Sequence, residues 1–360
     1  MKKYKIFMLG ALAVGFTACE DAPADAPIQT NPQGSVLETS AVALTPDALL
    51  TSGETINLDQ YVDAQAIPVF AVTTDGLPEK SKLSATMEVA STEAFDDVQS
   101  VELTLNGAQF EVYPSDLHDA YLDLFGFTTE AKKAYYRVPV TLTTESGAEY
   151  RFGDADYYAA SGSFTESPMA SIMPTDYVYT PGGSNGWSQP NSQYLFPSNN
   201  PAEKPGYFGV VVDEGGFKIC EEPAWVDGKN YGYGGDGILS TAGDSDNLGK
   251  DVTGLCWVGA NLEAMTYYIV KIEKVGIMGG ANGWSADQYL TPDESGLIYS
   301  GDIELDGDWK VRFNDNWDYN YGGRMAMPTF DGPNFSTPKG TYHMTINFGG
   351  RAPKIKIKKI

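Results

Sequence analysis

The sequence predicts an all-β protein with several domains. Its 360 residues include 39 Gly, 22 Tyr and 21 Pro but only 24 Lys and Arg. Such a composition favours short strands joined by turns over long helices. At about 100–200 residues per domain, the length suggests two or three domains. An internal repeat in the C-terminal half supports the same division.

The N-terminal half, residues 39–168, has the pattern of a β-sandwich. Apolar and polar residues alternate over residues 66–72, 83–89, 101–105 and 136–143. Alternation with a period of two residues is typical of half-buried strands. Turn signals at Asp75-Gly76, Asn106-Gly107 and Ser146-Gly147 separate these runs.

One helix is predicted in this half, over Pro114–Phe125, with Ser115 or Asp116 as the capping residue. Apolar side chains recur there at helical spacing: Leu117, Tyr121, Leu122 and Phe125. His118 also lies on this helix, without a second His, a Cys or a carboxylate pair nearby. We interpret it as a packing or surface residue, not as a metal ligand.

The C-terminal half contains two copies of one module. The segment GGSNGWS at 182–188 returns as GGANGWS at 279–285. Farther along, a short strand followed by Trp225 in the first copy matches a short strand followed by Trp317 in the second. We therefore predict two tandem β-sandwich modules, a first repeat at 169–273 and a second repeat at 274–360.

The N-terminus has the features of a bacterial lipoprotein signal peptide over residues 1–18. Three lysines precede an apolar run that ends before Cys19. The run has about 11 residues, whereas a membrane-spanning helix needs about 20, so a retained transmembrane anchor is disfavoured. The segment resembles a lipobox, which implies cleavage before Cys19 and lipidation of that residue.

Residues 19–38 read as a flexible tether, because they are rich in Ala, Pro, Asp and Gln and have no apolar period. Glu20 and Asp21 resemble the signal that directs lipoproteins to the extracellular face of the outer membrane. The formal net charge of −24 disfavours nucleic acid as a partner. It also disfavours attraction to anionic lipid, so we expect the acyl chains on Cys19 to attach the protein to the membrane.

The remaining cysteines and acids do not indicate a catalytic or metal centre. Cys220 and Cys256 could form a disulfide or remain two buried thiols, and the sequence leaves both open. Acid-rich turns at 306–308 and 315–318 could hold Ca²⁺, but they lack the regular spacing of an EF-hand loop. We predict solvated turns, no metal and no cofactor.

The residues common to both repeats suit sugar. An exposed indole can cover the C–H face of a pyranose ring, while amide and basic side chains bond its hydroxyls. Strand alternation places three polar side chains of the second repeat on one face and leaves Trp309 in the core. The candidate glycan-binding residues are Trp284, Trp317, Lys310, Arg312, Asn314, Trp187 and Trp225.

The first repeat is expected to bind more weakly. The face that carries Arg312 and Asn314 in the second repeat carries Cys220 and Glu222 in the first. The tryptophans could also be structural in both repeats, as lids over the ends of the sandwiches.

These features together resemble the SusE/SusF surface glycan-binding lipoproteins. The likeness rests on the lipobox, the acidic pair after Cys19, and the motifs NGWS and VRFNDNWDYNYGG in the second repeat. It implies an Ig-like N-terminal sandwich followed by carbohydrate-binding-type modules. It also implies a starch-like α-glucan as ligand and an outer-membrane importer as partner. This chain differs in carrying only two such modules.

Two alternatives to sugar capture are open. A glycoside hydrolase needs two carboxylates about 5–9.5 Å apart, and no pairing of that kind, nucleophile elbow or zinc spacing is evident. We therefore predict that the chain is not an enzyme. The other alternative is a structural or adhesive surface lipoprotein that binds no sugar.

Overall fold

The computed structural model describes residues 38–360, apart from residues 64 and 174. This part of the chain is mostly β, with short α-helices at Ala48–Thr51 (α1) and Pro114–Phe125 (α2). The predicted signal peptide at 1–18, Cys19 and nearly all of the tether at 19–38 lie outside the described residues. Among the helices described, none is long and apolar enough to cross a membrane.

A nine-stranded sheet forms the N-terminal part. Its strands are β1 (Val42–Pro46), β2 (Thr55–Asn57), β3 (Ile67–Thr74), β4 (Lys82–Ala90), β5 (Gln99–Asn106), β6 (Gln109–Val112), β7 (Lys132–Thr143), β8 (Glu149–Phe152) and β9 (Tyr158–Ser167). They follow the order β1-β3-β6-β5-β4-β7-β9-β2, with β8 beside β7. The four strands predicted from alternation coincide with β3, β4, β5 and β7. Gly107, at a φ of 59°, makes the predicted turn between β5 and β6.

Helix α2 has the predicted bounds but a different start. Tyr113 is its capping position and Pro114 occupies the first turn, so Ser115 and Asp116 lie inside the helix and do not cap it. His118 is fully buried, and its Nδ1 accepts a hydrogen bond of 3.0 Å from the backbone N–H of Met169. Burial lowers the pKa of His118 to about 4. It is a packing residue.

The first repeat forms a closed barrel in the order β10-β11-β12-β16-β17-β15-β14-β13. Its strands are β10 (Val178–Tyr179), β11 (Tyr194–Pro197), β12 (Tyr207–Asp213), β13 (Ile219–Cys220), β14 (Asn230–Gly235), β15 (Ile238–Ser240), β16 (Gly254–Asn261) and β17 (Thr266–Lys271).

The second repeat forms an eight-stranded sheet. Its strands are β18 (Val275–Gly279), β19 (Gln288–Tyr289), β20 (Thr291–Pro292), β21 (Ile298–Phe313), β22 (Asn316–Arg324), β23 (Met327–Phe330), β24 (Phe335–Asn347) and β25 (Lys354–Lys359). The strands β19-β18-β21-β22-β23 are neighbours in that order, and β24 joins β21 to β25. The all-β prediction is confirmed. The finer assignment of an Ig-like sandwich and two sandwich modules stays a prediction.

One hydrophobic core is shared between the two repeats. Trp257 of the first repeat is fully buried, and its ring centre lies 5.2 Å from that of Tyr321 and 5.5 Å from that of Phe313. Five other apolar residues of the first repeat belong to the same cluster: Phe208, Val210, Val212, Leu255 and Ile272. The two repeats are therefore packed together through a common core, which the sequence had not indicated.

The N-terminal part is fixed to the second repeat by polar contacts. Arg324 donates to Asp63 through Nε (2.8 Å) and Nη2, and the other oxygen of Asp63 accepts from the backbone N–H of Met325 (2.9 Å). On another side, Lys356 forms a 2.8 Å ion pair with Asp116 of α2. Breaking a partly buried ion pair leaves a charge without its partner, which is destabilising. These contacts therefore oppose separation of the N-terminal part from the second repeat.

The two cysteines do not form a disulfide. Both are free and buried, and burial raises the pKa of each thiol to about 12. Cys256 belongs to the core of the barrel, whereas Cys220 packs in a separate cluster with Tyr179 and Tyr194. Of the two possibilities left open by the sequence, the structure has the two buried thiols.

Because Trp257 lies in the shared core, it contributes strongly to the stability of the protein. We expect Trp257→Ala to lower the free energy of unfolding by about 3–5 kcal/mol, because it empties a large site that two sheets enclose. Trp225→Ala, which truncates a 52 % exposed indole, should change it by less than about 0.5 kcal/mol. Denaturant unfolding followed by circular dichroism measures both. Equal midpoints for the two variants would contradict a shared core.

Candidate functional site

A tight glycine-rich loop at 279–285 begins the candidate site. A β carbon at Gly280 would lie 2.3 Å from the carbonyl oxygen of Asp306, so only glycine allows this approach of the two backbones. The side chain of Asn282 holds the loop from inside. Its Oδ1 accepts from the backbone N–H of Gly279 (3.0 Å) and of Trp284 (3.2 Å), and its Nδ2 donates to the carbonyl of Ile277 (3.1 Å).

This loop presents Trp284 to solvent. Gly283 and Trp284 are both left-handed, with φ of 60° and 57°, and the Trp284 side chain is 39 % exposed. A left-handed conformation costs a residue other than glycine roughly 1–2 kcal/mol, which the Asn282 bonds offset. Trp187 in the first repeat has the same strained conformation, with φ of 64°. The motif itself therefore dictates the loop.

A two-residue turn, Asn314-Asp315, joins β21 to β22. Both residues are left-handed (φ 52° and 57°), as a type I′ hairpin requires. The turn ends the strand at Phe313, so Asn314 leaves the face that Lys310 and Arg312 share. Its Oδ1 accepts from the N–H groups of Glu273 (2.8 Å) and Lys274 (3.1 Å). The backbone between the repeats thus occupies the amide of Asn314, and its predicted role in sugar binding stays an untested prediction.

A bulge presents Trp317. Arg312 pairs with Asn320, but the next residue, Phe313, pairs with Asn316, so residues 317–319 have no partner on β21. Asn320 closes this bulge by donating through Nδ2 to the carbonyl of Trp317 (2.8 Å). Bulges of this kind redirect side chains out of a strand. Trp317 is 41 % exposed.

The loop and the bulge bring the two predicted tryptophans together. The rings of Trp284 and Trp317, hereafter the Trp pair, have their centres 6.0 Å apart and their planes inclined by 38°. Two large apolar surfaces thus lie side by side in solvent at an angle. The spacing of the two residues along the chain does not predict this contact, because they lie on different elements.

Arg312 supports the pair from below. Its guanidinium lies 4.9 Å from the centre of the Trp317 ring, a cation–π distance. It also donates to both oxygens of Asp287, through Nε (3.2 Å) and through Nη2. A β carbon at Gly276 would lie 2.5 Å from Oδ1 of Asp287, so glycine in β18 leaves the space that the carboxylate needs to reach Arg312.

Lys310 lies in a second polar network that reaches the first repeat. Its Nζ donates to Oδ1 of the buried Asn320 (3.0 Å), whose Nδ2 donates to Asp331 (2.7 Å). Lys204 of the first repeat pairs with the other oxygen of Asp331 at 3.2 Å. Burial lowers the pKa of Lys310. Its hydrogen bond to Asn320 therefore helps to stabilise the bulge.

Sequence reasoning missed Asp287 and Tyr289, and it noted Asp315 only as part of an acid-rich turn. Tyr289 is half exposed, and its hydroxyl donates to Oδ1 of Asp315 (2.7 Å), while Lys274 donates to Oδ2 (2.6 Å). The hydrogen bond from Lys274 lowers the pKa of Asp315. Gly276 of β18 pairs with Tyr289 on one side and with Arg312 on the other. Residues 287–290, Asp-Gln-Tyr-Leu, do not alternate between polar and apolar, so the sequence offered no strand signal there.

The first repeat does not reproduce this arrangement. Trp187 and Trp225 are both described, and their rings make no contact with each other. Trp225 is 52 % exposed. It lies in the segment between Cys220 of β13 and Asn230 of β14, which pair with each other. At the corresponding place the second repeat has its two-residue turn. At the position of Arg312 the first repeat has Cys220, which is fully buried.

The site has the chemistry of a binding surface. Across the described residues, no group of three or more His, Cys, Asp and Glu side chains could hold a metal ion. The carboxylate of Asp287 is 3 % exposed and both of its oxygens bind Arg312, so it is closed to a ligand. Two exposed indoles remain available, beside an Arg312 side chain that is 12 % exposed and a Tyr289 hydroxyl that already donates to Asp315 but can still accept.

Comparisons with known proteins give little beyond this geometry. No protein-family model and no curated protein matches the chain. Among solved structures, the crystal structure of SusF from Bacteroides thetaiotaomicron aligns over 88 % of this chain and 76 % of that chain, with 14 % identity and a TM-score of 0.27. A likeness at this level does not establish a shared fold.

The Trp pair should be visible in solution without any ligand. Two indoles 6.0 Å apart couple electronically, so we expect an exciton couplet in the far-ultraviolet circular dichroism spectrum. Trp284→Phe and Trp317→Phe should each abolish the couplet, and Trp225→Phe should preserve it. A spectrum that neither pair variant changes would contradict the contact between the two rings.

Proposed function

We propose that the chain is a non-catalytic glycan-binding lipoprotein of the cell surface, and that its second repeat binds neutral oligosaccharide or polysaccharide through the Trp pair. The observation that carries this proposal is the exposed contact of Trp284 with Trp317 above Arg312. Large apolar side chains exposed together are unusual in soluble proteins and mark interaction sites.

The polar groups around the pair support a sugar over an apolar ligand. The two ring faces can cover the C–H faces of neighbouring sugar units, and the side chains of Arg312 and Tyr289 lie on the same sheet row to bond hydroxyls. Tryptophan and tyrosine lose little side-chain entropy on binding, so contact area converts well into affinity. An acidic chain of net charge −24 favours a neutral ligand over an anionic one.

The inclination of the rings supports an α-glucan. Successive units of an α-1,4-linked chain turn relative to one another, whereas those of a β-1,4-linked chain lie in a flat ribbon. Planes inclined by 38° fit the first shape better than the second. We therefore propose a starch-like α-glucan as the ligand.

Capture without hydrolysis fits the acids near the site. A glycosidase needs one carboxyl of raised pKa to protonate the leaving oxygen. The pKa of Asp315 is lowered by the hydrogen bond from Lys274, and Asp287 is enclosed by Arg312. Neither group can serve as that acid.

The proposed location rests on the N-terminal sequence. Lipidation at Cys19 would anchor the chain, and Glu20-Asp21 would direct it to the extracellular face of the outer membrane. There the bound glycan would be held beside an outer-membrane importer, which we propose as the partner.

Affinity electrophoresis of the lipid-free protein tests the binding. We expect amylopectin in the gel to retard the wild-type chain, with a dissociation constant between about 1 μM and 1 mM, which corresponds to roughly −8 to −4 kcal/mol. Trp284→Ala and Trp317→Ala should each remove most of the retardation, because either change halves the aromatic platform.

Two matched controls complete this experiment. Trp225→Ala removes an exposed tryptophan of the first repeat, and Tyr150→Ala removes an exposed tyrosine of β8; both should migrate as wild type. The proposal fails if no neutral polysaccharide retards the wild-type chain, or if the pair variants are retarded as strongly as the controls. Retardation by a flat β-glucan alone would overturn the α-glucan assignment.

A further inference from the structure

The first repeat carries a second concave surface, away from its tryptophans. This cavity, hereafter the tyrosine cavity, has a volume of about 420 Å³, and neither Trp187 nor Trp225 lines it. Small-molecule sites in proteins typically occupy about 300–1,000 Å³. The lining side chains that matter here are Tyr233, Asp236, Asn247, Lys250, Asp251 and Tyr267.

Two tyrosine rings form the apolar wall of the cavity. Tyr233 on β14 and Tyr267 on β17 each pack against the buried core of the barrel and remain partly exposed. The core contact fixes the rings before any ligand arrives, which reduces the entropy lost on binding. Fixed aromatic rings beside a cavity offer the apolar contact that a sugar face needs.

Hydrogen-bonding groups surround these rings. The hydroxyl of Tyr233 donates to Oδ1 of Asp236 (2.8 Å). Lys250 donates to Asp246 (3.1 Å), and its Nζ lies 5.9 Å from the centre of the Tyr233 ring. Asn247 and Asp251 add an amide and a further carboxylate to the lining. Donors and acceptors of this kind bond sugar hydroxyls.

The backbone wall of the cavity depends on glycine. Gly249 is left-handed (φ +70°), and a β carbon there would lie 2.1 Å from Oδ2 of Asp213, which is buried behind it. No other residue fits that position. The cavity is therefore bounded by bare backbone as well as by side chains.

The charge of the lining selects against anions. Two carboxylates, those of Asp236 and Asp251, line the cavity together with one ammonium, that of Lys250, while the carboxylate of Asp246 and the ammonium of Lys218 lie beside it. Uronic acids, sialic acids and phosphates would be repelled. A neutral ligand rich in hydroxyl groups fits the lining best.

We infer that the tyrosine cavity is a second sugar site, which binds a short neutral saccharide independently of the Trp pair. This inference rests on the proposed function and gives the first repeat a role that its separated tryptophans cannot fill. The chain would then hold one polysaccharide at two points. Two linked sites raise the overall avidity without any new contact at either one.

Titration calorimetry on the lipid-free chain separates the two sites, with maltotriose and cellotriose as probes. Trp284→Ala/Trp317→Ala should retain binding with about half the wild-type stoichiometry. Adding Tyr233→Ala and Tyr267→Ala should weaken that residual binding at least tenfold. Adding Tyr150→Ala instead should leave it unchanged.

A second variant guards against loss of folding. Asp251→Ala removes an exposed rim carboxylate that is not hydrogen-bonded to either tyrosine, and it should also weaken the residual binding, with a wild-type melting temperature. If the pair variant binds neither probe while the wild type binds, the inference is overturned and the proposed function stands. If the wild type releases no heat with any neutral oligosaccharide, both are overturned.

Discussion

The contact of Trp257 with the second repeat is the constraint on which the site depends. This indole of the first repeat packs under β21 and β22, against Phe313 and Tyr321. The same two strands carry Arg312 and Trp317 on their outer side. Because the inner side chains are enclosed by both repeats, the outer ones stand on a sheet that cannot bend freely.

A second consequence of this packing concerns the repeat itself. Two copies of one module usually act as independent binding units, but here one copy supplies part of the core of the other. The first repeat can therefore lack a contact between its two tryptophans, because its sheet still packs against the second repeat. Cys220 in place of Arg312, and a longer segment around Trp225, are consistent with that division of roles.

Local features of the fold could be predicted from the sequence, and non-local ones could not. The strands β3, β4, β5 and β7, helix α2 and the repeated loop follow from periodicity and from turn residues. The role of Asn314 was missed because strand alternation was extended one residue past a turn. Asp287 was missed because its partner, Arg312, lies across an intervening strand, and no spacing along the chain encodes that contact.

The site could likewise be predicted only in part. Trp284, Trp317 and Arg312 do lie together, whereas Lys310 lies in a separate polar network with Asn320. The angle between the rings, the bulge at 317–319 and the shared core depend on how β22 and the first repeat pack, which pairwise alternation does not specify.

The most direct test of sugar binding by the Trp pair follows the six tryptophan indole N–H signals by NMR during titration with maltoheptaose. Single Trp→Phe variants assign the signals. We expect the signals of Trp284 and Trp317 to shift together with one dissociation constant. The signals of the buried Trp257 and Trp309, and those of Trp187 and Trp225, should stay in place. Movement of the other four without the pair, or no movement with any neutral oligosaccharide, would contradict sugar binding by the Trp pair.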